Sequence, residues 1–236
     1  MNILLLGYGK MGKAIETIAR ERGHSIVGKA DNELERNTLT FPIRPDVAIE
    51  FSMPESAVDN VKFCIDHNIP VVCGTTGWLA RKQEVDDYCL KHHATLFYAS
   101  NFSLGVNIFF KVNEYLARMM SGHSEYKVSV DETHHTQKRD APSGTAITLA
   151  QGIIANLPHL KEWTDQEKAR PEALSIKSFR IDPAPGTHTV RYKSSVDDIE
   201  ITHTAHSRQG FAQGAVMVAE WVKDKKGVLS MEDFFR

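Results

Sequence analysis

The chain opens on a short continuous apolar run, residues 2–6, that breaks at Gly7 and gives way to Ala14, Ile15, Ile18 and Ala19 at helical spacing. The same switch recurs through the first hundred residues. Apolar runs at 25–30, 47–51, 70–73 and 95–98 predict strands, and the segments 55–66 and 79–91 predict helices between them. Residues 32–45 carry two prolines and little periodicity, which predicts an irregular connection. Strand and helix alternating at this spacing predict a parallel doubly wound sheet, with ligands at the carboxyl ends of its strands.

The pattern then changes. Residues 104–120 predict one long helix whose core face carries Ile108, Val112, Tyr115, Leu116 and Met119. Tyr126, Val128 and Val130 alternate with Lys127, Ser129 and Asp131 as in a half-buried strand, and Ala146, Ile147, Leu149, Ala150, Ile153 and Ile154 return to helical spacing. Residues 160–171 are charged and predict a surface loop or short helix. Strands at 175–181, 188–195 and 199–205 imply a mostly antiparallel sheet shared with the Tyr126 strand. A last helix over 211–225, apolar at Ala215, Val218, Ala219 and Val222, is expected to pack back on the first domain. The fold class is therefore α/β. A Rossmann-like domain, 1–103 with 210–236, is joined to an α+β domain over 104–209.

Candidate chemistry sits at the breaks in the pattern. Gly7-Tyr8-Gly9-Lys10-Met11-Gly12 is a G-x-G-x-x-G between strand and helix: Gly7 permits the tight turn, Gly9 lets a pyrophosphate approach and Gly12 allows close helix packing. The second strand ends at Asp31, where an acid accepts the hydroxyls of an adenosine ribose. Three more strand ends, at Phe51-Ser52, Gly74-Thr75-Thr76-Gly77 and Ala99-Ser100-Asn101-Phe102, are assigned to the ribose and nicotinamide side of the same cofactor. NADH, NADPH or both are expected. Asp31 repels a 2′-phosphate and Asn32 offers no clamp, so NADH should serve at least as well, although Lys10, Lys13, Lys29 and Arg36 stand in neighbouring turns.

The richest stretch is Glu132-Thr-His134-His135-Thr-Gln-Lys138-Arg139-Asp140-Ala-Pro142-Ser143-Gly144-Thr145-Ala146. Pro142 disfavours helix at Ala141, so Ser143 is placed as an N-cap with the N–H groups of Gly144 and Thr145 at the positive end of the helix. Such an end binds anions, and with Lys138 and Arg139 nearby a small carboxylate is the expected occupant. Adjacent histidines diverge on a strand, and neither H-E-x-x-H nor paired C-x-x-C occurs, so no metal is expected.

Composition narrows the partners. The 236 residues are 42% hydrophobic and 25% charged, with a net charge of −2, which gives no electrostatic reason for nucleic acid or an anionic membrane as partner. The first apolar run is too brief for a signal-peptide core and no stretch approaches a membrane span, so a cytoplasmic protein is expected. Cys64, Cys73 and Cys89 lack metal or redox spacing and are expected to be reduced structural thiols.

The stretch Glu132 to Ala146 resembles the signature of the dihydrodipicolinate (4-hydroxy-tetrahydrodipicolinate) reductase family of diaminopimelate and lysine biosynthesis. Gly-Thr-Thr-Gly at 74–77, Asn101-Phe102-Ser103 before Gly105-Val106-Asn107, Glu200-Ile-Thr-His203 and His206-Ser-Arg208 follow in the family's order. The resemblance implies reduction of dihydrodipicolinate at ring C4 by NAD(P)H, followed by protonation at the neighbouring carbon. It puts the proton on His134 and Lys138, without deciding between them. It implies that His135, Lys138, Ser143, Gly144 and Thr145 hold the carboxylates, with Arg208 near substrate or hinge, and that the chain forms a homotetramer through its second sheet. Two departures stand out: Glu50-Phe51-Ser52 replaces Asp-Phe-Thr, and Asp182 replaces a glycine after Arg180. A dinucleotide-sensing protein, or a reductase of another carboxylate, are the rival readings; the first needs no His-His-x-x-Lys cluster.

Overall fold

The apolar runs form strands and the periodic segments form helices in a computed structural model that describes residues 1–166, 170–207 and 209–236. In chain order these are β1 (Asn2–Leu6), α1 (Lys10–Glu21), β2 (Ser25–Ala30), α2 (Glu33–Asn37), β3 (Val47–Glu50), α3 (Pro54–Asp66), β4 (Val71–Cys73), α4 (Lys82–Lys91) and β5 (Thr95–Tyr98). There follow α5 (Leu104–Met120), β6 (Lys127–His134), α6 (Gly144–Ile154), β7 (Glu162–Thr164), β8 (Ala173–Arg180), β9 (Gly186–Lys193), β10 (Asp198–Ala205), α7 (Gln209–Val222), β11 (Gly227–Leu229) and α8 (Met231–Phe234). Two compact units result, one of Met1–Ser103 with Gln209–Arg236 and one of Leu104–Arg208.

The first unit is built on a sheet in the order β11-β5-β4-β3-β1-β2, parallel at every pairing. Its central strands are apolar on both faces because both are covered. Ile3, Leu5 and Ile49 pack into a cluster with residues of α1 and α7, while Leu4, Leu6 and Ala48 pack with residues of α3 and α4. Gly214 lets α7 reach the sheet, since a Cβ there would lie 1.7 Å from the Phe102 carbonyl oxygen. Beyond α7 the chain adds β11 to the edge beside β5, a strand the sequence reading missed because three residues are too few to show a period. Residues 32–45 also hold more structure than expected. Asn32 caps α2 by accepting from the Glu35 N–H at 2.9 Å, and Glu35 returns the contact to the Asn32 side-chain amide.

The second unit has a mixed sheet in the order β10-β9-β6-β8-β7. The pairs β10/β9 and β9/β6 are antiparallel, whereas β6/β8 and β8/β7 are parallel, because α6 and its flanking loops carry the chain back between β6 and β8. Residues 162–164, expected as loop or helix, supply the short edge strand β7. The core joins Val130, Ile176, Val190 and Tyr192 of the sheet to Leu149, Ala150 and Ile153 of α6 and Phe109, Ala117 and Met120 of α5. The core face assigned to α5 is corrected here. Its buried stripe is Val106, Phe109, Asn113, Ala117 and Met120, while Ile108, Val112, Tyr115 and Met119 are exposed. Two apolar stripes run along this helix, and periodicity alone does not say which one meets the sheet. Among the described residues no helix is long and apolar enough to cross a membrane.

Candidate active site

In the first unit the carboxyl ends of β5, β4, β3, β1 and β2 lie side by side, so the sheet order gathers every residue predicted to hold a cofactor along one edge. Gly7 turns the chain at φ 89°, and a Cβ on it would lie 2.0 Å from the Phe51 carbonyl oxygen. Gly12 lies against Gly7, its added Cβ falling 2.2 Å from the Gly7 carbonyl oxygen. Gly9 is different: it stands at the N-cap of α1 with no side-chain cap, and a Cβ there would meet nothing within 4 Å. Open space over uncapped N–H groups at a helix start fits a pyrophosphate. Tyr8 is half-buried, Lys10 exposed and Met11 half-buried.

Met11, Phe51, Ser52, Pro54, Gly74, Thr75 and Thr76 line a cavity of about 210 Å³. Its floor is fixed from below. Thr75 Oγ1 accepts from the Ser52 N–H at 2.8 Å, and the buried Glu50 accepts from Asn60 at 3.2 Å, from Cys73 at 3.1 Å and from the Ser52 hydroxyl. Burial, then the charge of Glu50, pushes the Cys73 thiol well up, which keeps it protonated and inert. Of the Glu-Phe-Ser departure from the family pattern, Glu50 is thus a supporting knot beneath the cavity, while Phe51 and Ser52 line it. Gly74 is needed because the Phe51 ring occupies the place of a Cβ. Ala99 and Phe102 turn into the core, while Ser100 is exposed and Asn101 half-buried beside them. At the ribose end, Asp31 Oδ1 accepts from the Tyr8 N–H at 2.6 Å and the Asp31 N–H donates to Glu35 at 2.7 Å.

In the second unit the strand register builds the site. Along β6 the inward positions run Val130, Glu132, His134, and their sheet partners run Ile176, Ser178, Arg180 on β8 and Val190, His188 on β9. The apolar members lie under α5 and α6; the polar ones continue the same face past the start of α6. Glu132 has no exposed surface, His188 has 5% and His134 has 7%.

One oxygen of Glu132 accepts from the Ser143 N–H at 3.1 Å, the Ser178 hydroxyl at 2.7 Å and Arg180 at 3.3 Å. The other faces two imidazoles, His134 Nδ1 at 3.4 Å and His188 Nε2 at 3.6 Å. Burial works to raise the Glu132 carboxyl, but the contacts from His188, Ser143 and Ser178 outweigh it and hold it well below the usual carboxylate range. Burial pushes His134 the other way, down to about 4, and the carboxylate of Glu132 only partly offsets this.

Ser143 caps α6 as predicted, accepting from the Ala146 N–H at 3.2 Å, and its hydroxyl lies 3.2 Å from His188 Nε2. Gly144 is exposed and Thr145 half-buried at that helix start. Lys138 donates to both oxygens of Asp140 at 2.9 Å. Arg180 grips the same loop from below, donating to the carbonyls of Lys138 at 3.3 Å and Asp140 at 2.6 Å.

The two histidines part as expected. His134 lies over Gly186 and the His188 ring, whereas His135 lines a cavity of about 430 Å³ with Gln137, Asp182, Pro183, Pro185 and Ser207. Asp182, the second departure, accepts from the Thr136 N–H at 3.1 Å and hydroxyl at 2.6 Å and so ties the loop after β6 to the β8–β9 turn. Arg208 lies outside the described residues.

Glu132, His188 and Arg180 were not assigned roles from the sequence. The signal that would have found them is the alternation along β6, β8 and β9, which puts polar groups on the face that Val130, Ile176 and Val190 bury. Glu132, His134 and His188 each offer a donor atom within 4.8 Å of the others, a set a divalent cation uses. The Arg180 guanidinium on the same carboxylate, and Ser143 on the same imidazole, mark the cluster as a hydrogen-bonding and proton-holding network.

Comparison with known proteins shows the family. Residues 1–102 match the model for the N-terminus of dihydrodipicolinate reductase and residues 105–235 that for its C-terminus. The chain belongs to the dihydrodipicolinate reductase family. A 4-hydroxy-tetrahydrodipicolinate reductase from Christiangramia forsetii is 53% identical over 234 residues, covering 99% of this chain and 97% of that protein. The enzyme of that name from Archaeoglobus fulgidus is 34% identical, covering 96% of each chain. A dipicolinate-bound dihydrodipicolinate reductase from Paenisporosarcina sp. TG-14 superposes with a TM-score of 0.77 at 21% identity, covering 98% of this chain and 97% of that one, and shows the shared fold.

Proposed function

We propose that the protein reduces 4-hydroxy-tetrahydrodipicolinate to tetrahydrodipicolinate in diaminopimelate and lysine biosynthesis. The carrying observation is the cluster at the end of β6, where a buried carboxylate, an imidazole, a lysine and a capped helix start converge within one short stretch of chain. A site that only sensed a dinucleotide has no use for these groups.

In this reading the first unit binds NAD(P)H through Gly7 to Gly12, Asp31 and the ends of β3, β4 and β5. When bound, the reduced nicotinamide supplies a hydride to ring C4. Lys138, the N–H groups of Gly144 and Thr145 and the hydroxyls of Ser143 and Thr145 hold the substrate carboxylates, with His135 beside them, while the Ser143 N–H stays on Glu132. An ammonium suits a carboxylate as a point charge, and the helix start adds aligned N–H donors. His134 is the proton donor, because its imidazole lies against the Glu132 carboxylate, which favours its charged form, while Lys138 is engaged in ion pairing. Loss of nicotinamide absorbance with freshly generated 4-hydroxy-tetrahydrodipicolinate, against a panel of other keto and imino acids, tests the assignment. Equal turnover of an unrelated keto acid would overturn it.

The protein is further proposed to be a cytoplasmic homotetramer assembled through its second sheet. Ser129, Asp131 and Thr133 of β6 and Lys177 and Phe179 of β8 occupy the face opposite the buried one, and Phe179 is 44% exposed there. A monomeric mass in solution by light scattering would refute this.

A further inference from the structure

Glu132 Oε2 and His134 Nδ1 are both buried, neither makes a hydrogen bond, and they face one another 3.4 Å apart. Buried polar atoms are nearly always paired, so two orphans face to face call for an explanation. Catalytic hydrogen bonds are often long in a ligand-free protein and tighten in the complex.

We propose that Glu132 is the positioning residue of the proton donor: it holds His134 in the tautomer protonated at Nδ1, and a dicarboxylate arriving at Lys138 and the Ser143 helix start draws a second proton onto Nε2. The inference rests on the dicarboxylate reading of this site.

The groups around His134 give the reason. From its own strand it faces the Glu132 carboxylate, from β9 His188, from β8 Arg180, and from the following loop Lys138 with its partner Asp140. Burial, His188, Lys138 and Arg180 oppose a charge on His134; Glu132 favours one. The free protein therefore keeps the imidazole neutral, and a neutral imidazole beside a carboxylate puts its one proton on the nitrogen facing that carboxylate. Two substrate carboxylates reverse the balance by adding negative charge at Lys138 and the helix start beyond the single carboxylate of Asp140. The proton taken from solvent then sits on Nε2. After hydride transfer this N–H bond breaks, its proton joins the electron-rich ring carbon, and the imidazole returns to the neutral Nδ1–H form against Glu132. Gly186 leaves room for that nitrogen, since a Cβ there would stand 3.0 Å from it.

The test uses the whole protein with excess NADH and pyridine-2,6-dicarboxylate as probe. Calorimetric titration near neutral pH, in buffers of different ionisation enthalpy, should show uptake of roughly one proton per chain on binding. In Glu132→Gln the carboxamide keeps the shape but presents N–H toward His134 Nδ1. The diacid should still bind, proton uptake should fall several-fold, and ¹⁵N spectra should show the ring proton moved to Nε2. The wild type's own ¹⁵N spectrum, with the His134 signal assigned by its loss in His134→Asn, needs no Glu132 variant. An Nε2–H tautomer there, or diacid binding without proton exchange, overturns the proposal and leaves the reductase reading standing. Failure of the diacid to bind at all overturns the location of the substrate site beneath it.

Discussion

The Lys138 ammonium sits 2.9 Å from each oxygen of Asp140, so in the free protein the cation proposed to meet a substrate carboxylate already holds one. Asp140 is fixed in turn through its carbonyl by Arg180. On the proposed reading a substrate carboxylate competes with an exposed aspartate for a pre-oriented lysine, an exchange between like partners with little net desolvation.

Lys138→Ala should lower kcat/KM by at least about a hundredfold, about 2.7 kcal/mol, because a carboxylate is left to be buried unpaired. Lys138 belongs to the second unit, while the residues assigned to the nucleotide belong to the first, so the NADH dissociation constant from fluorescence titration should stay within about twofold. If both constants fall together, Lys138 serves folding or cofactor binding.

Pyridine-2,6-dicarboxylate should inhibit competitively against the substrate. Thr145→Val removes a hydroxyl donor and leaves the N–H groups of the α6 start, so the inhibition constant should rise by the equivalent of about 1.5–3 kcal/mol, the range for a hydrogen bond to a charged group. An unchanged constant would place the diacid elsewhere.

NADH should be used at least as well as NADPH. Two of the four bases near the ribose position are spoken for: Lys29 donates to Glu16 at 2.5 Å and to the Tyr8 hydroxyl at 2.9 Å, and Arg36 is buried on Asn60 at 3.0 Å. Hydrogen bonding to Lys29 and Tyr8 holds the Glu16 carboxyl down at about 2, so this latch stays ionised at working pH. Glu35 adds a second carboxylate next to Asp31. Asp31→Ser should move the ratio of kcat/KM values toward NADPH, and the gain should fade as salt rises. A wild-type preference for NADPH above about a hundredfold would mean that Lys10 or Lys13 outweighs Asp31.

Acid should destabilise the protein early. Buried His134 is held at about 4 against an ordinary 6.5, so between those values the unfolded chain binds a proton that the folded chain does not. Stability is then present above pH 6.5 and lost as pH falls toward 4, by about 3 kcal/mol. His203, lowered by burial and by the nearby imidazoles of His188 and His206, acts in the same direction. Glu132, held low, contributes its loss only at pH values below the usual carboxylate range. Melting temperatures measured from pH 7 to 4.5 should fall for wild type and flatten for His134→Asn. Parallel curves for the two would show that His134 takes up its proton over the same pH range in the folded as in the unfolded chain.

The sequence by itself determined the parts that depend on near neighbours. Gly7, Gly9 and Gly12 are legible because a tight turn and a close packing contact forbid a side chain at Gly7 and Gly12, and between them the helix start at Gly9 is left open, all within six residues. The Ser143 cap is legible because a proline and a hydroxyl fix the start of a helix locally. What tertiary structure decided is whatever depends on register and on which face is covered. The stripe Ile108, Val112, Tyr115 and Met119 has the period of a buried face yet stands in solvent, since the opposite stripe of α5 is the one that meets the sheet. Glu132, Arg180 and His188 are separated by up to 56 positions in the chain, and they meet only because β8 and β9 flank β6 in a register that carries a buried face past its apolar core. Nothing local encodes such pairing, so a carboxylate that looks like the edge of a motif becomes the centre of the site only once the sheet has formed.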